Sequence, residues 1–256
     1  MLDNPSKTHL LLVPSYNTGP ILAQTIREIL HYWHPVWVVI DGSDDQSDTL
    51  LMPAQSEFPN QLRVIRLEKN VGKGAAILAG ITLAQQQGYT HVLTMDADHQ
   101  HPAESIHTFM QASFEKLDAM ILGEPVFDAS APALRVQGRK ISNGFANLET
   151  LGWGIHDSLF GMRVYPIQQL IQVMESTRWA RRFDFETEVA VKLAWQGVPA
   201  INLPTPVRYL SEQEGGVSQF RYFRDNTLLT WMHTRLIIGF ILRLPTLIIQ
   251  RFKQKH

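Results

Sequence analysis

The chain of 256 residues contains no cysteine, which excludes disulfide bonds and thiolate metal sites. It has neither low-complexity tracts nor a repeat period, and its apolar fraction of 45% is that of a folded globular protein. The segment Met1–His9 is largely polar and the apolar run Leu10–Val13 is short, so we expect no secretory leader. The length allows one large α/β domain, alone or with an appendage.

The chain has no large excess of either charge, since its net charge is −1, but the charged residues are unevenly distributed. From Arg208 onward there are eight Lys or Arg residues and three acidic residues, so the tail is basic and the rest of the chain is acidic. Such a split predicts that the tail meets something anionic, such as a membrane face or a phosphate-bearing ligand. We expect no nucleic-acid partner.

Short apolar runs alternate with helical patterns through the first half of the chain. The run Val36–Ile40 is apolar throughout, as expected of a strand buried on both faces. The alternation predicts a parallel, doubly wound α/β sheet. Its strands are expected at His9–Val13, Val36–Ile40, Leu62–Leu67, Thr90–Thr94 and Ala119–Leu122, with helices at 20–33, 73–87 and 102–116.

Beyond Leu122 the alternation loosens. The pattern predicts helices at 133–151, from Pro166 and at 189–195. Strands are expected at 159–165, 200–203 and 206–210, and Ser211–Gly216 is expected to be a polar loop.

Polar clusters come directly after the first strands. Because the carboxyl ends of parallel strands lie at one edge of a sheet, these loops are expected to form a single site. The clusters are Pro14–Thr18, Asp41–Asp45, Asn70–Gly74 and Asp96–Gln100.

The last of these clusters carries Asp96, Asp98 and Gln100. Their oxygens suit a hard divalent cation, which keeps other positions for water and phosphate, although a solvated acidic turn is the alternative. Asp41 could accept hydrogen bonds from a ribose or a nucleobase. Lys73 lies between two glycines and could neutralise a phosphate, so together these groups predict a nucleoside-diphosphate ligand.

Two common nucleotide motifs are missing. Residues 72–75 are not a P-loop, because Leu67 stands where its first glycine is needed and no Ser or Thr follows Lys73. The first strand is not followed by Gly-x-Gly-x-x-Gly, so we do not expect a nicotinamide enzyme.

Five motifs resemble those of the family 2 glycosyltransferases of the GT-A fold. Within that family they are most similar to the branch of dolichol-phosphate mannose synthases and related polyprenyl-phosphate sugar transferases. The resemblance covers roughly Leu10–Pro206 and implies a nucleotide-sugar-binding domain with a mostly parallel sheet flanked by helices. The motifs are Val13–Asn17, Val39–Asp45, Asn70–Ala76, Met95–Pro102 and Asp157–Arg163.

The resemblance also implies roles for individual residues. Mg²⁺ or Mn²⁺ is expected on Asp96, Asp98 and Gln100, and the acceptor is expected near Arg139, with Ser142 or Asn143. Candidate catalytic residues are Asp96, Asp98, Glu186, Asp184 and Asp157. The nucleotide-sugar, linked through UDP or GDP, is expected to contact Pro14, Tyr16, Asn17, Asp41, Lys73, Asp96 and Ala97.

Three departures from the family pattern leave the substrates open. Thr18 and Ile40 replace acidic residues usual at those positions, which leaves the base and the sugar undetermined. The run Gly123–Pro125 lacks the arginine that the lipid-phosphate branch often carries there. The acceptor is therefore either a polyprenyl phosphate, which needs no general base, or a hydroxyl, which needs a carboxylate. Asp157 is a candidate for that base, and Glu186 and Asp184 are preferred to it. Helix capping is the simpler role for both carboxylates.

The segment Phe220–Ile249 is rich in Leu, Ile, Phe and Trp. Arg235 and Arg243 leave seven uncharged residues between them, too few to span a bilayer, and Pro245 interrupts the pattern. We expect an amphipathic helix in the membrane interface, followed by the basic residues Arg251–Lys255. A helix packed on the domain or on a partner subunit is the alternative.

These observations predict an inverting, metal-dependent glycosyltransferase that transfers a sugar from a nucleoside-diphosphate-sugar to a lipid-linked acceptor. The catalytic domain is expected at 1–210 and the basic tail at 211–256, peripheral to the inner face of the cytoplasmic membrane, with self-association left open. A sugar nucleotidyltransferase is less expected, because Pro14–Pro20 lacks the Lys and Arg that such enzymes carry there. A non-catalytic nucleotide-sugar-binding or membrane-scaffold protein would have no chemical need for Asp96 and Asp98 together.

Overall fold

The computed structural model describes residues 5–127, 133–208 and 222–254. Seven strands form one mixed sheet in the order β3-β2-β1-β4-β6-β5-β7. The strands are β1 His9–Ser15, β2 Val36–Asp41, β3 Leu62–Leu67, β4 His91–Thr94, β5 Met120–Val126, β6 Arg163–Pro166 and β7 Ala200–Pro206. The helices are α1 Pro20–Tyr32, α2 Met52–Glu57, α3 Lys73–Gln86, α4 Ile106–Glu115, α5 Ala133–Glu149, α6 Ile167–Glu175, α7 Phe185–Trp195 and α8 Tyr222–Gln254.

Strand β1 lies inside the sheet, and all seven of its residues are buried. Leu10 and Leu12 pack into one core with residues of α3, α6, α7 and α8, while Leu11 and Val13 pack into a second core with α1 and α4. Successive side chains of a strand point to opposite faces, so one apolar run fills both layers. The expected sheet with helices on both faces is confirmed.

The carboxyl ends of β1, β2 and β4 lie at one edge of the sheet, because these strands run parallel. Strand β6 runs antiparallel to β4 and pairs Arg163 with Thr94, so the start of β6 reaches the same edge. Helix α3 also begins there and packs closely on the sheet. A Cβ at Gly80 would lie 2.8 Å from the Leu12 side chain.

The structure corrects two predicted strands and adds a helix. The strand expected at 159–165 begins only at Arg163, because the N–H groups of Leu159 and Phe160 donate to the Asp157 carboxylate and form a turn. The strands expected at 200–203 and 206–210 are the single edge strand β7, which tolerates prolines because one side of it is unpaired. Residues 209 and 210 lie outside the described residues. Helix α2 was not predicted, because six residues show too little periodicity.

Helix α8 continues through Pro245, which was expected to interrupt it. A proline removes only one helical hydrogen bond, and the long helix keeps the others on both sides. By length and composition, Arg224–Phe252 is apolar enough to cross a membrane, so the charged residues alone do not exclude a span. The loop expected at Ser211–Gly216 and the last basic residue, Lys255, lie outside the described residues.

Candidate active site

The loop that follows β4 brings Asp96 to the carboxyl edge of the sheet. The backbone N–H of Asp96 donates to Nδ1 of His101 at 3.2 Å, and Nε2 of His101 lies 3.6 Å from Oδ2 of Asp96. Gly161, in the turn before β6, lies against the same oxygen, since a Cβ there would be 2.5 Å from Oδ2. His101 therefore lies beside Oδ2 and orients the carboxylate.

The other oxygen of Asp96 meets Lys73, the first residue of α3. The Lys73 Nζ lies 2.5 Å from Oδ1 of Asp96 and also pairs with Oε1 of Glu186, in the first turn of α7. Burial by itself would lower the pKa of the Lys73 ammonium, but the two carboxylates raise it above its usual value. Burial would likewise raise the pKa of Asp96, and Lys73 lowers it. Three separate elements thus meet in one charged cluster.

Asp98 lies on the same loop but forms no ion pair with any of the described residues. Its Oδ1 accepts a hydrogen bond from the Gln100 N–H at 3.1 Å. Burial, together with the neighbouring Asp96 carboxylate, raises the pKa of Asp98 to about 7. A carboxylate that lacks a positive partner fits a bound cation, so Asp98 is a suitable metal ligand, and Asp96 offers carboxylate oxygens on the same loop. Within the described ranges, however, no three acidic or histidine side chains already converge on one point. Ligation by Asp96, Asp98 and Gln100 stays a prediction.

Asp41, at the end of β2, shapes the loop that precedes Lys73. Its two oxygens accept hydrogen bonds from the N–H groups of Val71 and Gly72, each at 2.8 Å, and the residue is buried. Gly72 has a φ of 99°, a conformation in which other residues are strained. Contact between Asp41 and a nucleoside stays a prediction, as does contact between Lys73 and a phosphate.

The loops after β1 and β2 are joined by Asn17. Its amide donates to the Asp44 carboxylate at 2.7 Å and accepts from the Asp44 N–H at 3.0 Å. Tyr16 is 37% exposed beside this pair, so its ring is accessible to a ligand. Pro14 and Ala97 are buried, and they could contact a ligand only through a small part of their surface.

Asp157, one of the candidate bases, is buried and saturated with hydrogen bonds. Arg139 donates to it at 2.6 Å and the Asn143 amide at 3.1 Å, in addition to the two backbone groups of the turn before β6. The carboxylate therefore fixes α5 against that turn. This arrangement gives Asp157 a structural role that does not require it to act as a base.

Ser142, expected near the acceptor, is buried and turned towards α8. Its Oγ lies 3.1 Å from Oγ of Ser158 and 3.0 Å from Nε2 of His233. Nδ1 of His233 in turn lies 2.8 Å from Oε1 of Glu149. The predicted acceptor region is thereby connected to the C-terminal helix.

Asp184 accepts hydrogen bonds from the N–H groups of Ala180 and Arg182, at 3.0 Å and 2.9 Å, in the turn before α7. Its role as a turn-forming residue is therefore present in the structure, whereas Glu186 directs its carboxylate to Lys73. Glu186 is the candidate base that is joined to the expected metal site, since Lys73 pairs with its carboxylate and with that of Asp96.

Two functional features escaped sequence reasoning. Arg163 is fully buried and donates to the backbone oxygens of Phe160, Glu186 and Asp157 at 2.6, 2.6 and 3.1 Å. It ties β6 to α7, and only its position at the end of a motif hinted at a role. Glu188, also buried, forms a bidentate ion pair with Arg235 of α8 at 3.0 and 2.8 Å. No local pattern links residues so far apart in the chain.

Helices α5 and α8 leave many apolar side chains exposed. The rings of Phe145 in α5 and His233 in α8 lie 5.1 Å apart, which brings the two helices together at this surface. We call the set the apolar surface: Ile141, Phe145, Leu148, Trp231, Ile238, Ile241, Leu242, Ile248, Ile249 and Phe252.

Comparisons with known proteins identify the family of the chain. The family model described as glycosyl transferase family 2 matches residues 11–172, a range that contains Lys73 and Asp96 but ends before Glu186. Polyprenol monophosphomannose synthase of Mycolicibacterium smegmatis is 26% identical over 220 residues, which cover 84% of this chain and 82% of that protein. Undecaprenyl-phosphate 4-deoxy-4-formamido-L-arabinose transferase of Yersinia pestis is 30% identical over 125 residues, 46% of this chain and 37% of that protein.

A solved structure is similar over most of the chain. Glucosyl-3-phosphoglycerate synthase from Mycobacterium tuberculosis, in complex with Mn²⁺, UDP-glucose and phosphoglyceric acid, gives a TM-score of 0.64 at 14% identity. The match covers 92% of this chain and 80% of that one. At such low identity the similarity establishes the fold, and the predicted GT-A architecture is confirmed.

Proposed function

The chain belongs to glycosyl transferase family 2, and from that premise we propose that it is an inverting enzyme that transfers a sugar from a nucleoside-diphosphate-sugar to a lipid-linked acceptor. The observation that carries the proposal is the cluster of Asp96, Lys73 and Glu186 at the carboxyl edge of the sheet. Ligands of open α/β sheets bind at that edge, where loops and helix N-termini are free to contact them.

The donor would lie between the exposed ring of Tyr16 and the loop that carries Asp96 and Asp98. These two carboxylates, with Gln100, would hold Mg²⁺ or Mn²⁺, which would neutralise the diphosphate leaving group. The similar structure that contains Mn²⁺ and UDP-glucose supports both parts of this proposal. Binding measurements with UDP and with GDP distinguish the two donors.

A polyprenyl phosphate is the acceptor that the relatives favour, because polyprenol and undecaprenyl phosphate stand in their names. The chain spans most of the mannose synthase but about a third of the arabinose transferase, so the second name carries less weight. The exposed apolar surface on α5 and α8 supports a lipid-linked acceptor, because Arg139 and Ser142 belong to the same helix α5. We therefore favour a polyprenyl phosphate over a hydroxyl acceptor.

The reaction we propose is a single displacement. An acceptor oxygen attacks the anomeric carbon on the face opposite the nucleoside diphosphate, and the new C–O bond forms as the bond to the diphosphate breaks. A phosphate acceptor is already ionised and needs no base, whereas the proton of a hydroxyl acceptor would pass to Glu186. The product then has the inverted anomeric configuration.

Calorimetric titration with UDP and with GDP, each with and without Mn²⁺, tests donor and metal together. We expect one nucleotide to bind only with Mn²⁺, and Asp98→Asn to weaken that binding by about tenfold or more, because a charged ligand is lost. Asp118→Asn is the matched control, since Asp118 is exposed and pairs only with Lys116 among the described residues. Binding that ignores Mn²⁺, or equal effects of the two variants, would contradict the metal site.

A transfer assay tests the acceptor. Purified protein is incubated with a labelled donor of the nucleotide found by calorimetry, with and without undecaprenyl phosphate, and the lipid product is separated by chromatography. We expect label in the lipid only when the polyprenyl phosphate is present. Donor binding without transfer to any lipid would favour the non-catalytic alternative, and pyrophosphate release from a nucleoside triphosphate and a sugar phosphate would favour a nucleotidyltransferase.

A further inference from the structure

The two oxygens of Asp96 have different surroundings. Oδ2 faces His101, whose Nε2 lies 3.6 Å away, and Gly161 packs against the carboxylate group. The Lys73 ammonium lies 2.5 Å from Oδ1. A cation that binds Oδ1 therefore meets a positive charge that is already in place.

A divalent cation and an ammonium cannot share that oxygen at low cost. A metal ion binds a carboxylate oxygen at about 2.0 to 2.6 Å, so the two positive charges would be held within a few ångströms of each other. At that separation like charges repel strongly in a partly buried site. Lys73 has a second partner in Glu186, a carboxylate that is almost fully buried.

We propose that Lys73 is an internal counter-cation, which holds Asp96 in the metal-free protein, competes with the divalent cation for Oδ1, and passes to Glu186 when the cation binds. The inference rests on the proposed metal site. It gives Lys73 a positioning role that acts through Asp96, in place of direct contact with a phosphate.

The backbone around Lys73 does not depend on its side chain. Val71 and Gly72 donate to Asp41, and the Ala75 N–H donates to the Arg181 oxygen at 3.2 Å. We therefore expect Lys73→Met to fold, and to leave Asp96 and Glu186 without a positive charge between them.

The test is Mn²⁺ binding, followed by the paramagnetic resonance signal of free Mn²⁺, alone and in the presence of UDP or GDP. We expect Lys73→Met to bind Mn²⁺ about tenfold more tightly than the unmodified protein, because a competing charge is removed. Lys73→Arg keeps the positive charge, so its affinity for Mn²⁺ should be close to that of the unmodified protein. Lys69→Met is the matched control: it removes an exposed lysine of the same loop and should leave the affinity unchanged.

Thermal unfolding gives a second readout. Without metal, Lys73→Met should melt below the unmodified protein, because two carboxylates then repel each other. With Mn²⁺ its melting temperature should rise further than that of the unmodified protein, by linkage to the tighter binding.

The outcomes separate this inference from the proposed function. If the unmodified protein binds Mn²⁺ and Lys73→Met binds it equally or more weakly, Lys73 does not compete with the cation, but the proposed metal site stands. If neither protein binds Mn²⁺, the competition and the metal site are both overturned. Binding by Lys73→Met alone would support the competition. If Lys73→Met does not fold, Glu186→Gln decides: with one partner lost the ammonium is confined to Asp96, so Mn²⁺ affinity should fall, and an unchanged affinity would overturn the inference.

Discussion

His9 begins the interior strand β1, so it lies at the end of the strands opposite the site. Its ring stacks on His91 of β4, with ring centroids 4.4 Å apart, and its Nε2 lies 3.0 Å from Oγ of Ser113. Burial, and next the neighbouring His91, lower the pKa of His9 to about 3. Burial lowers the pKa of His91 as well. Both rings are therefore neutral in the folded protein at neutral pH.

This pair predicts a loss of stability in mild acid. An unfolded histidine takes up a proton below about pH 6.5, but folded His9 does not do so until about pH 3. Between these values the unfolded state binds the extra proton, so the free energy of unfolding falls by about 1.4 kcal/mol for each unit of falling pH. The stability is complete above the unfolded pKa and is lost as the pH falls.

Urea unfolding at several pH values between 7 and 4.5 measures the effect. His9→Gln can keep a hydrogen bond to Ser113 and does not titrate, so its stability should depend less steeply on pH. His31→Gln is the control, because His31 is exposed. Equal slopes in the unmodified protein and His9→Gln would show that His9 does not contribute.

Individual residues also mark the limit of sequence reasoning. The motifs identified Asp41, Lys73 and Asp96 as important and placed them at one edge of a sheet, because the carboxyl ends of parallel strands lie at the same edge. Their partners could not be predicted in the same way. Lys73 meets a carboxylate from α7, and Asp41 binds backbone groups, and both contacts depend on how helices pack in three dimensions.

At the scale of elements, helix α8 is attached to helix α7 by a buried ion pair. Arg235 holds Glu188 of α7 in two hydrogen bonds, and Lys192 pairs with the same carboxylate at 2.7 Å. Burial would raise the pKa of Glu188, but these two cations lower it. The contact lies in the half of α8 whose residues Met232 and Leu236 join the core.

Removal of the Arg235 charge should therefore destabilise the domain. Breaking a buried ion pair leaves an uncompensated charge and costs about 3 to 5 kcal/mol, and we expect Arg235→Met to lie near the lower end because Lys192 remains. Arg243→Met should cost less than about 1 kcal/mol, since Arg243 is exposed and makes no ion pair with any residue in the described ranges.

Urea unfolding followed by tryptophan fluorescence compares the two variants. Equal small losses would show that α8 is not fastened through Arg235 and that Glu188 finds another partner. The helix itself was predictable from its apolar pattern, but its attachment was not, because Arg235 and Glu188 belong to different parts of the sequence.

For the whole molecule, the apolar surface and the charge distribution both bear on what contacts helix α8. The sequence predicted an amphipathic helix, and the structure adds that α5 contributes Ile141, Phe145 and Leu148 to the same kind of exposed surface. Soluble monomers seldom expose so many large apolar side chains together, and such a surface commonly marks a membrane or protein contact. The basic residues of the tail favour an anionic membrane.

We expect the full chain to bind vesicles that contain phosphatidylglycerol and to bind neutral vesicles less. Leu242, 75% exposed, and Ile249, 56% exposed, lose little in the folded protein when changed to glutamate, so the double variant should fold normally. Each buried side chain of this size contributes about 1.5 to 3 kcal/mol to membrane binding, so the double variant should bind at least about a hundredfold more weakly.

Flotation of vesicles in a density gradient measures this binding, with Leu117→Glu as the control. Leu117 is 54% exposed but lies outside α5 and α8, so its change should leave flotation intact. Unchanged flotation of the double variant would show that these side chains do not contact the membrane. It would favour the alternative in which α8 packs against a protein partner. Extraction at alkaline pH then distinguishes an interfacial helix from a membrane-spanning one. A protein held by an interfacial helix is released, whereas a protein whose segment Arg224–Phe252 spans the bilayer stays in the membrane.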